Sequence, residues 1–308
     1  MTEAVDVGSG APPVRLTIPT ADGFPLVGYR FDAHGAELGR FVVAGATGVQ
    51  QRYYRKFARF AAARGFTTLT FDYRGIGLSR QGSLRGFSAT YLDWARLDVT
   101  AVVAAARSGD TPVRLVGHSF GGQTLGLLHN HAGLSGAYIF GTGAGWAGWM
   151  PKLEAWKVRL MWSAVLPVLV ATKGYMAWSK FGMGEDLPLG VYRQWKRWCK
   201  YPRYFFDDPE LQHLTAAFAE VRMPIVAVNS VDDLWAPPKS RDAFIEQYAN
   251  CDIRRVDLSP QRETAGIGHM GYFNAEASWM WEDVLSWARP VASTATSPDQ
   301  RECSIACQ

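Results

Sequence analysis

The sequence is organised around the stretch Val113-Arg114-Leu115-Val116-Gly117-His118-Ser119-Phe120-Gly121-Gly122-Gln123. A short aliphatic run ends there in Gly-x-Ser-x-Gly, and the small residues from Gly121 to Leu128 indicate the start of a helix. Because Gly117 and Gly121 lack a Cβ atom, the backbone between strand and helix can turn tightly and expose the Ser119 hydroxyl. The pattern is short enough to arise by chance, so its setting in the chain has to support it.

Strand-like and helix-like segments alternate on both sides of this stretch. Two antiparallel strands are predicted at residues 15–19 and 25–31, and buried strands at residues 41–44 and 67–73. An amphipathic helix is predicted at residues 91–106. Further strands follow at residues 137–140, 224–228 and 253–258. Such alternation requires crossover connections, so we predict an α/β fold with a mainly parallel sheet and helices on both faces.

The alternation stops once, over residues 145–220, where the pattern is helical and seven of the chain's 12 tryptophans occur. We therefore predict that residues 14–144 and 221–290 form one α/β core and that residues 145–220 form an inserted helical cap. The ends, residues 1–13 and 291–308, are predicted to be flexible or disordered because they are polar or rich in small residues.

The inserted segment (residues 145–220) contains the most apolar stretch of the chain, residues 158–178. Arg159, Pro167 and Lys173 interrupt it, so we interpret it as a buried or amphipathic helix pair rather than an integral membrane span. One stripe recurs at helical spacing and predicts a packing face. Its members are Trp156, Lys157, Leu160, Met161, Val165 and Leu166.

Two later segments carry residues with acid–base chemistry. Residues 229–237 follow one predicted strand and contain Asp232 and Asp233, and residues 266–273 follow the last strand and contain His269. The carboxyl ends of parallel strands gather at one edge of a sheet. Ser119, an aspartate and His269 can therefore meet although they are far apart in sequence.

With these motifs in place, the chain resembles the α/β-hydrolase superfamily. It is most similar to serine-aminopeptidase-like and lysophospholipase-like members that have a helical lid. The resemblance covers roughly residues 25–289 and rests on the Gly117–Gly122 turn, the glycine-punctuated loop at residues 72–79, Asp233-x-x-x-Pro237 and Gly268-His269-x-Gly271. Family members generally carry the acid four residues before a proline, which favours Asp233 over Asp232.

The resemblance implies a Ser-His-Asp catalytic triad. His269 would take the proton of Ser119 as the hydroxyl attacks, and Asp233 would hold the imidazole tautomer and stabilise its cation. Two N–H donors must stabilise the oxyanion. One is expected from Phe120, and the other from Ala46 or Thr47, with Ala46 preferred. Many relatives begin this loop with His-Gly, where this chain has Ala44-Gly45.

Other polar residues near these motifs are assigned structural roles. His118 occupies the variable position of the Gly-x-Ser-x-Gly turn, and a role outside the chemistry is favoured for it. Asp72 and Arg74 belong to a loop that is usually a scaffold in the family. The sequence contains neither a metal-ligand cluster nor a phosphate-binding glycine loop, so no metal and no cofactor is expected.

These features favour a serine hydrolase that cleaves a carboxylic ester, thioester or amide of a small-to-medium hydrophobic substrate through an acyl-enzyme. A carboxylesterase is the default interpretation. An acyltransferase with the same triad and a non-catalytic protein that binds hydrophobic ligands are the alternatives. Dehalogenase chemistry is disfavoured because the turn carries Ser119 rather than an aspartate.

Composition limits the partners and the compartment. The chain has 308 residues, 48% hydrophobic content and a net charge of +4 without a basic block, so nucleic acid is not expected as a partner. The four cysteines are predicted to be free thiols in a reducing compartment. The first 13 residues lack the basic start and apolar core of a secretory signal, so we expect a cytoplasmic protein. The oligomeric state is left open.

Overall fold

The computed structural model describes residues 11–182, 184–260 and 266–289. Within these ranges, one sheet of eight strands has the order β1-β2-β4-β3-β5-β6-β7-β8. The strands are β1 Val14–Pro19, β2 Pro25–Phe31, β3 Gly39–Ala44, β4 Phe66–Phe71, β5 Val113–His118, β6 Ala137–Phe140, β7 Ile225–Ser230 and β8 Ile253–Leu258. β2 runs antiparallel to β1 and β4, and all other neighbours pair in parallel.

Helices connect the parallel strands. They are α1 Arg55–Ala62, α2 (residues 91–106, whose middle turns at Trp94–Val99 are a π-helix), α3 Phe120–Gln123, α4 Lys152–Lys173, α5 Leu189–Trp198, α6 His213–Glu220, α7 Pro238–Ile245 and α8 Ser278–Ala288. The predicted mainly parallel α/β fold is confirmed. The predicted N-terminal tail is described only at residues 11–13, and the predicted tail at 291–308 lies outside the described residues.

Both faces of the sheet are covered, as expected for parallel strands that are apolar on both sides. On one face, α2 packs Trp94, Val99 and Val103 against Val42 and Leu115. On the other face, α1 and α8 pack against alternate residues of the same strands. Members of that second cluster include Phe41, Val43, Val116, Phe57, Trp281 and Leu285. This double layer fixes the carboxyl ends of the central strands relative to one another.

The turn after β5 is held by close backbone packing. A Cβ atom on Gly121 would lie 1.9 Å from the carbonyl oxygen of Ala44, and one on Gly117 would lie 2.6 Å from Gly122. Ser119 has a φ angle of +52°, which is rare for a non-glycine residue and marks a strained turn. The glycines therefore let β3 approach closely enough to hold the serine in this conformation.

The helix predicted to begin at Gly121 and to continue to Leu128 is shorter than expected. α3 ends at Gln123, and a 3₁₀ turn follows at Leu125–Leu127. Glycine disfavours the helix interior, and a Cβ atom on Gly126 would lie 2.4 Å from the Phe218 ring. Packing against α6 therefore replaces a long helix by a bent connection.

The apolar stretch of the inserted segment also differs from the prediction. α4 is one continuous helix rather than a pair, with a π-helical turn at Met161–Val165 that ends two residues before Pro167. The wider turn accommodates a proline that has no N–H to donate. By length and composition α4 could cross a membrane, and 17% of its most apolar 18-residue stretch is buried. No other helix of the described residues is long and apolar enough to do so.

The packing face predicted for this helix is only partly right. Leu166 is buried and Met161 is half-buried, but Trp156 is 61% exposed, and Leu160 and Val165 are also exposed. The buried stripe runs instead through Ala155, Val158 and Leu166. Helical spacing could not distinguish these two stripes because both are apolar. The tertiary fold decides which stripe faces the core.

The loop that follows β4 is tied to its surroundings by charged groups. Arg74 lies between Asp98 of α2, with Nε and Oδ1 2.7 Å apart, and Asp22 of the β1–β2 turn, also at 2.7 Å. The Asp98 side chain is fully buried. Asp72 accepts hydrogen bonds from the backbone N–H groups of Gln51 and Leu78. These contacts join the loop after β4 to the β1–β2 turn, to α2 and to the segment before α1.

We expect Arg74→Met to destabilise the protein by about 3–5 kcal/mol, because it leaves the buried Asp98 carboxylate without its cation. Arg30→Met is the matched control, since the Arg30–Asp32 pair is exposed and such pairs contribute less than about 1 kcal/mol. Urea denaturation of both variants measures the difference. Equal losses of unfolding free energy would contradict the assignment.

Candidate active site

Three side chains from three strand ends meet at the carboxyl edge of the sheet. His269 Nε2 lies 2.9 Å from Ser119 Oγ, and His269 Nδ1 lies 2.9 Å and 3.1 Å from the two carboxylate oxygens of Asp233. Ser119 follows β5, Asp233 follows β7, and His269 follows β8. The structure therefore brings together the serine, aspartate and histidine that the sequence singled out.

The hydrogen-bond partners define the protonation pattern. The carboxylate of Asp233 can only accept, so His269 Nδ1 carries the proton and Nε2 is left to accept from the Ser119 hydroxyl. Burial would raise the pKa of Asp233, but its electrostatic interaction and hydrogen bond with His269, with the N–H groups of Ala236 and Trp235, outweigh burial and hold that pKa below its usual value. Asp233 is thus kept ionised as the partner of the imidazole.

Asp232, the other candidate for the acid, contacts the backbone next to His269. Its Oδ1 accepts from the Ser230 hydroxyl at 2.5 Å and from the backbone N–H of Gly268 at 3.0 Å. It therefore anchors the loop that carries His269 rather than the imidazole itself.

Tyr272 is a site residue that the sequence analysis did not identify. Its hydroxyl donates to Asp233 Oδ2 at 3.1 Å and accepts from the backbone N–H of Ser230 at 2.8 Å. Its position three residues after His269, in the same glycine-rich loop, was the available signal. Tyr272 occupies one carboxylate oxygen and so limits how Asp233 can rotate.

His118 is also more closely involved than expected. The N–H of Ala46 donates to Tyr54 Oη at 2.7 Å. The backbone carbonyl of His269 can only accept, so His118 Nε2 donates to it at 2.9 Å. The Nδ1 atom of the neutral His118 ring then accepts from the Tyr54 hydroxyl, 2.9 Å away. This chain of hydrogen bonds links the loop after β3 to the loop that carries His269.

The same bond corrects the preferred second oxyanion donor. The backbone N–H of Ala46 is already committed to Tyr54 and cannot also point at a substrate oxygen. Within the described residues, the N–H groups of Thr47 and Phe120 donate to no protein acceptor, and both residues line the space beside Ser119. The alternative that the sequence left open, Thr47, is therefore the geometrically suitable donor.

Two spaces open at Ser119. One is a cavity of about 50 Å³ between the sheet edge and α4, and the other is a cleft of about 700 Å³ that runs past the loop after β3. Trp235 forms a wall of both; its ring stacks on His269 and its Nε1–H donates to Glu154 of α4 at 3.3 Å. Across the described ranges, no three His, Cys, Asp or Glu side chains are arranged to hold a metal ion.

Comparison with known families agrees with this architecture. Residues 33–280 match the alpha/beta hydrolase family. Since this match spans most of the chain, the protein belongs to that family, and the predicted superfamily is confirmed. No curated protein sequence matches the chain.

Solved structures share the fold at low sequence identity. DcsB, in complex with a substrate analogue, is 14% identical, covers 90% of this chain and 98% of its own, and has a TM-score of 0.59. The thioesterase domain from the curacin biosynthetic pathway is 12% identical over 89% of this chain and 100% of its own, with a TM-score of 0.55. The esterase Pf2001 from Pyrococcus furiosus is 12% identical over 90% and 89%, also with a TM-score of 0.55.

We expect acid to destabilise the protein through His118. Burial, reinforced by the nearby His269, lowers the pKa of His118 to about 3, whereas an unfolded histidine titrates near about 6.5. The unfolded chain therefore binds a proton first, and the unfolding free energy is highest above about pH 6.5 and falls by about 1.4 kcal/mol per unit as the pH drops towards 3.

Urea denaturation between pH 7 and pH 5, at about half-unit steps, measures this dependence. His118→Asn should have a shallower decline than the wild type, whatever its stability at neutral pH. Parallel curves for the two proteins would show that His118 does not titrate on unfolding.

Proposed function

We propose that this protein is a serine hydrolase that cleaves a carboxylic ester, thioester or amide of a hydrophobic substrate through an acyl-enzyme on Ser119. The observation that carries the proposal is the continuous hydrogen-bond line from Ser119 Oγ through His269 to Asp233, with distances of 2.9 Å at each junction. A structural histidine has no need of a strained serine at one nitrogen and a buried carboxylate at the other.

Acylation follows from this geometry. As Ser119 Oγ forms a bond to the substrate carbonyl carbon, His269 Nε2 takes the hydroxyl proton and the carbonyl oxygen gains negative charge. The N–H groups of Phe120 and Thr47 would hold that oxygen. When the tetrahedral intermediate collapses, the bond to the leaving group breaks, and His269 returns the proton to the departing oxygen, sulfur or nitrogen.

Deacylation uses the same groups in reverse. A water molecule that enters the large cleft gives its proton to His269 Nε2 and attacks the acyl carbon, and Ser119 leaves with that proton. Gly182, Gly184 and Arg52 are exposed where they line the cleft. This access to solvent favours hydrolysis over transfer of the acyl group to another acceptor.

The cytoplasm remains the proposed compartment.

Removal of the triad groups should abolish activity on an aryl ester. We expect Ser119→Ala, His269→Ala and Asp233→Asn each to lower kcat by at least about 10³-fold, because they remove the nucleophile, the proton carrier and the group that holds the imidazole tautomer, respectively. Steady-state kinetics with 4-nitrophenyl acetate measures kcat, and covalent labelling by a fluorophosphonate probe reports the reactivity of Ser119 independently.

Asp232→Asn is the matched control for the acid. An asparagine Oδ1 can still accept from the Gly268 N–H, so this variant should retain kcat to within about tenfold. A greater loss in Asp232→Asn than in Asp233→Asn would reverse the assignment. A wild-type protein that is folded but neither labelled nor active would indicate a binding role instead.

The oxyanion donors can be tested at single atoms. Incorporating an α-hydroxy acid in place of Thr47 turns its amide N–H into an ester oxygen, and we expect kcat to fall by about 10²–10³-fold. The same exchange at Ala46 removes the bond to Tyr54 and should cost stability, measured by thermal unfolding, more than kcat. If the exchange at Ala46 instead produced the larger loss of kcat, the donor would be Ala46.

A further inference from the structure

The two spaces at Ser119 differ in size by more than tenfold. The cavity measures about 50 Å³ and lies over the glycines that follow β6, with Met161 and Trp162 of α4 on the opposite wall. The cleft measures about 700 Å³ and is lined by Gln50, Arg52 and Glu185. Ser119 and His269 border both spaces, so a substrate held at the serine would place one part in each.

The chemistry of the walls differs as well. Among the described residues, no aspartate, glutamate, lysine or arginine lines the cavity, whose walls include Gly141, Gly143, Met161 and Trp162. The cleft includes both Arg52 and Glu185. A neutral apolar group therefore fits the cavity, whereas the cleft can also solvate polar groups.

The order of acylation and deacylation assigns each half of the substrate to one of the two spaces. After acylation, the leaving group must depart and a water molecule must enter while the acyl group remains bonded to Ser119. The cleft is the space with an exposed rim, so departure and entry use the cleft. The acyl group stays attached throughout and needs no exit of its own until deacylation, which matches the narrow cavity.

The size of the cavity limits the acyl chain. A group the size of a water molecule requires roughly 10–15 Å³ of cavity volume. The cavity of about 50 Å³ thus holds on the order of three to five non-hydrogen atoms. Its wall is braced because the Trp162 ring stacks on Tyr192 and meets the edge of Trp195, with centroids 5.8 Å and 5.0 Å away.

We propose that the acyl half of the substrate is a short, neutral chain, from acetyl to about pentanoyl in length, and that the leaving group is the larger half. This inference rests on the proposed hydrolase function and adds the substrate class. Trp162 and Met161 are the residues that set the upper limit of acyl length.

The test is a series of 4-nitrophenyl esters with acyl chains from acetate to decanoate. We expect kcat/KM to be highest at acetate to butanoate and to be at least about tenfold lower at octanoate, since overfilling a packed site is unfavourable. A second series keeps the acetyl group and enlarges the leaving group from 4-nitrophenyl to 4-methylumbelliferyl and naphthyl. Here kcat/KM should change only as the different acidities of the three leaving phenols require, with no further loss as the ring system grows, because the cleft accepts the larger group.

Two variants enlarge the cavity from different positions. Met161→Ala and Trp162→Ala should each shift the preferred acyl chain by about two or more carbons and raise octanoate relative to acetate by at least about tenfold. Met161→Ala keeps the test valid if Trp162→Ala fails to fold. Trp156→Ala is the matched control: Trp156 lies on the same helix, is 61% exposed and lines neither space, so its profile should equal that of the wild type.

The outcomes separate this inference from the proposed function. If the fluorophosphonate labels Ser119 but octanoate or decanoate is the preferred ester, the short-acyl inference is wrong and the hydrolase proposal stands. An unchanged profile in both Met161→Ala and Trp162→Ala also overturns it. If the folded wild type is neither labelled nor active on any ester, the proposed function fails and this inference fails with it.

Discussion

The site depends on one close approach, that of the end of β3 to the turn after β5. The Ala44 carbonyl oxygen would lie 1.9 Å from a Cβ atom on residue 121, so only glycine permits the contact. This approach holds Ser119 at a φ angle of +52°. It also brings the loop that contains Thr47 beside Phe120. The proposed nucleophile, Ser119, and both proposed oxyanion donors are therefore fixed by the same piece of backbone packing.

Hydrogen bonds extend this framework to His269 and Asp233. His118 reaches from the serine turn to the backbone of His269, and Tyr54 connects His118 to Ala46. Tyr272 holds Asp233 from the other side. Because these groups are buried, each would be costly to leave unpaired, and their mutual satisfaction restricts the loops to one arrangement.

The inserted segment contributes in two different ways. Its inner side supplies Met161 and Trp162 to the cavity at Ser119, and Glu154 accepts from Trp235 beside His269. Its outer side leaves Leu153 and Trp156 exposed. The core thus carries Ser119, Asp233 and His269, while α4 of the inserted segment forms part of the wall of the cavity at Ser119.

The sequence by itself determined the α/β fold, the approximate positions of the strands and the candidate residues Ser119 and His269, because strand–helix periodicity and short glycine-flanked motifs are local properties. The choice of Asp233 over Asp232 rested on the resemblance to the family. Only the tertiary structure decided that the N–H of Ala46 is taken by Tyr54 and that, among the described residues, the N–H of Thr47 meets no protein acceptor. It also decided which apolar stripe of α4 is buried and how small the cavity at Ser119 is. These depend on contacts between segments distant in sequence, and residue spacing along one segment does not encode them.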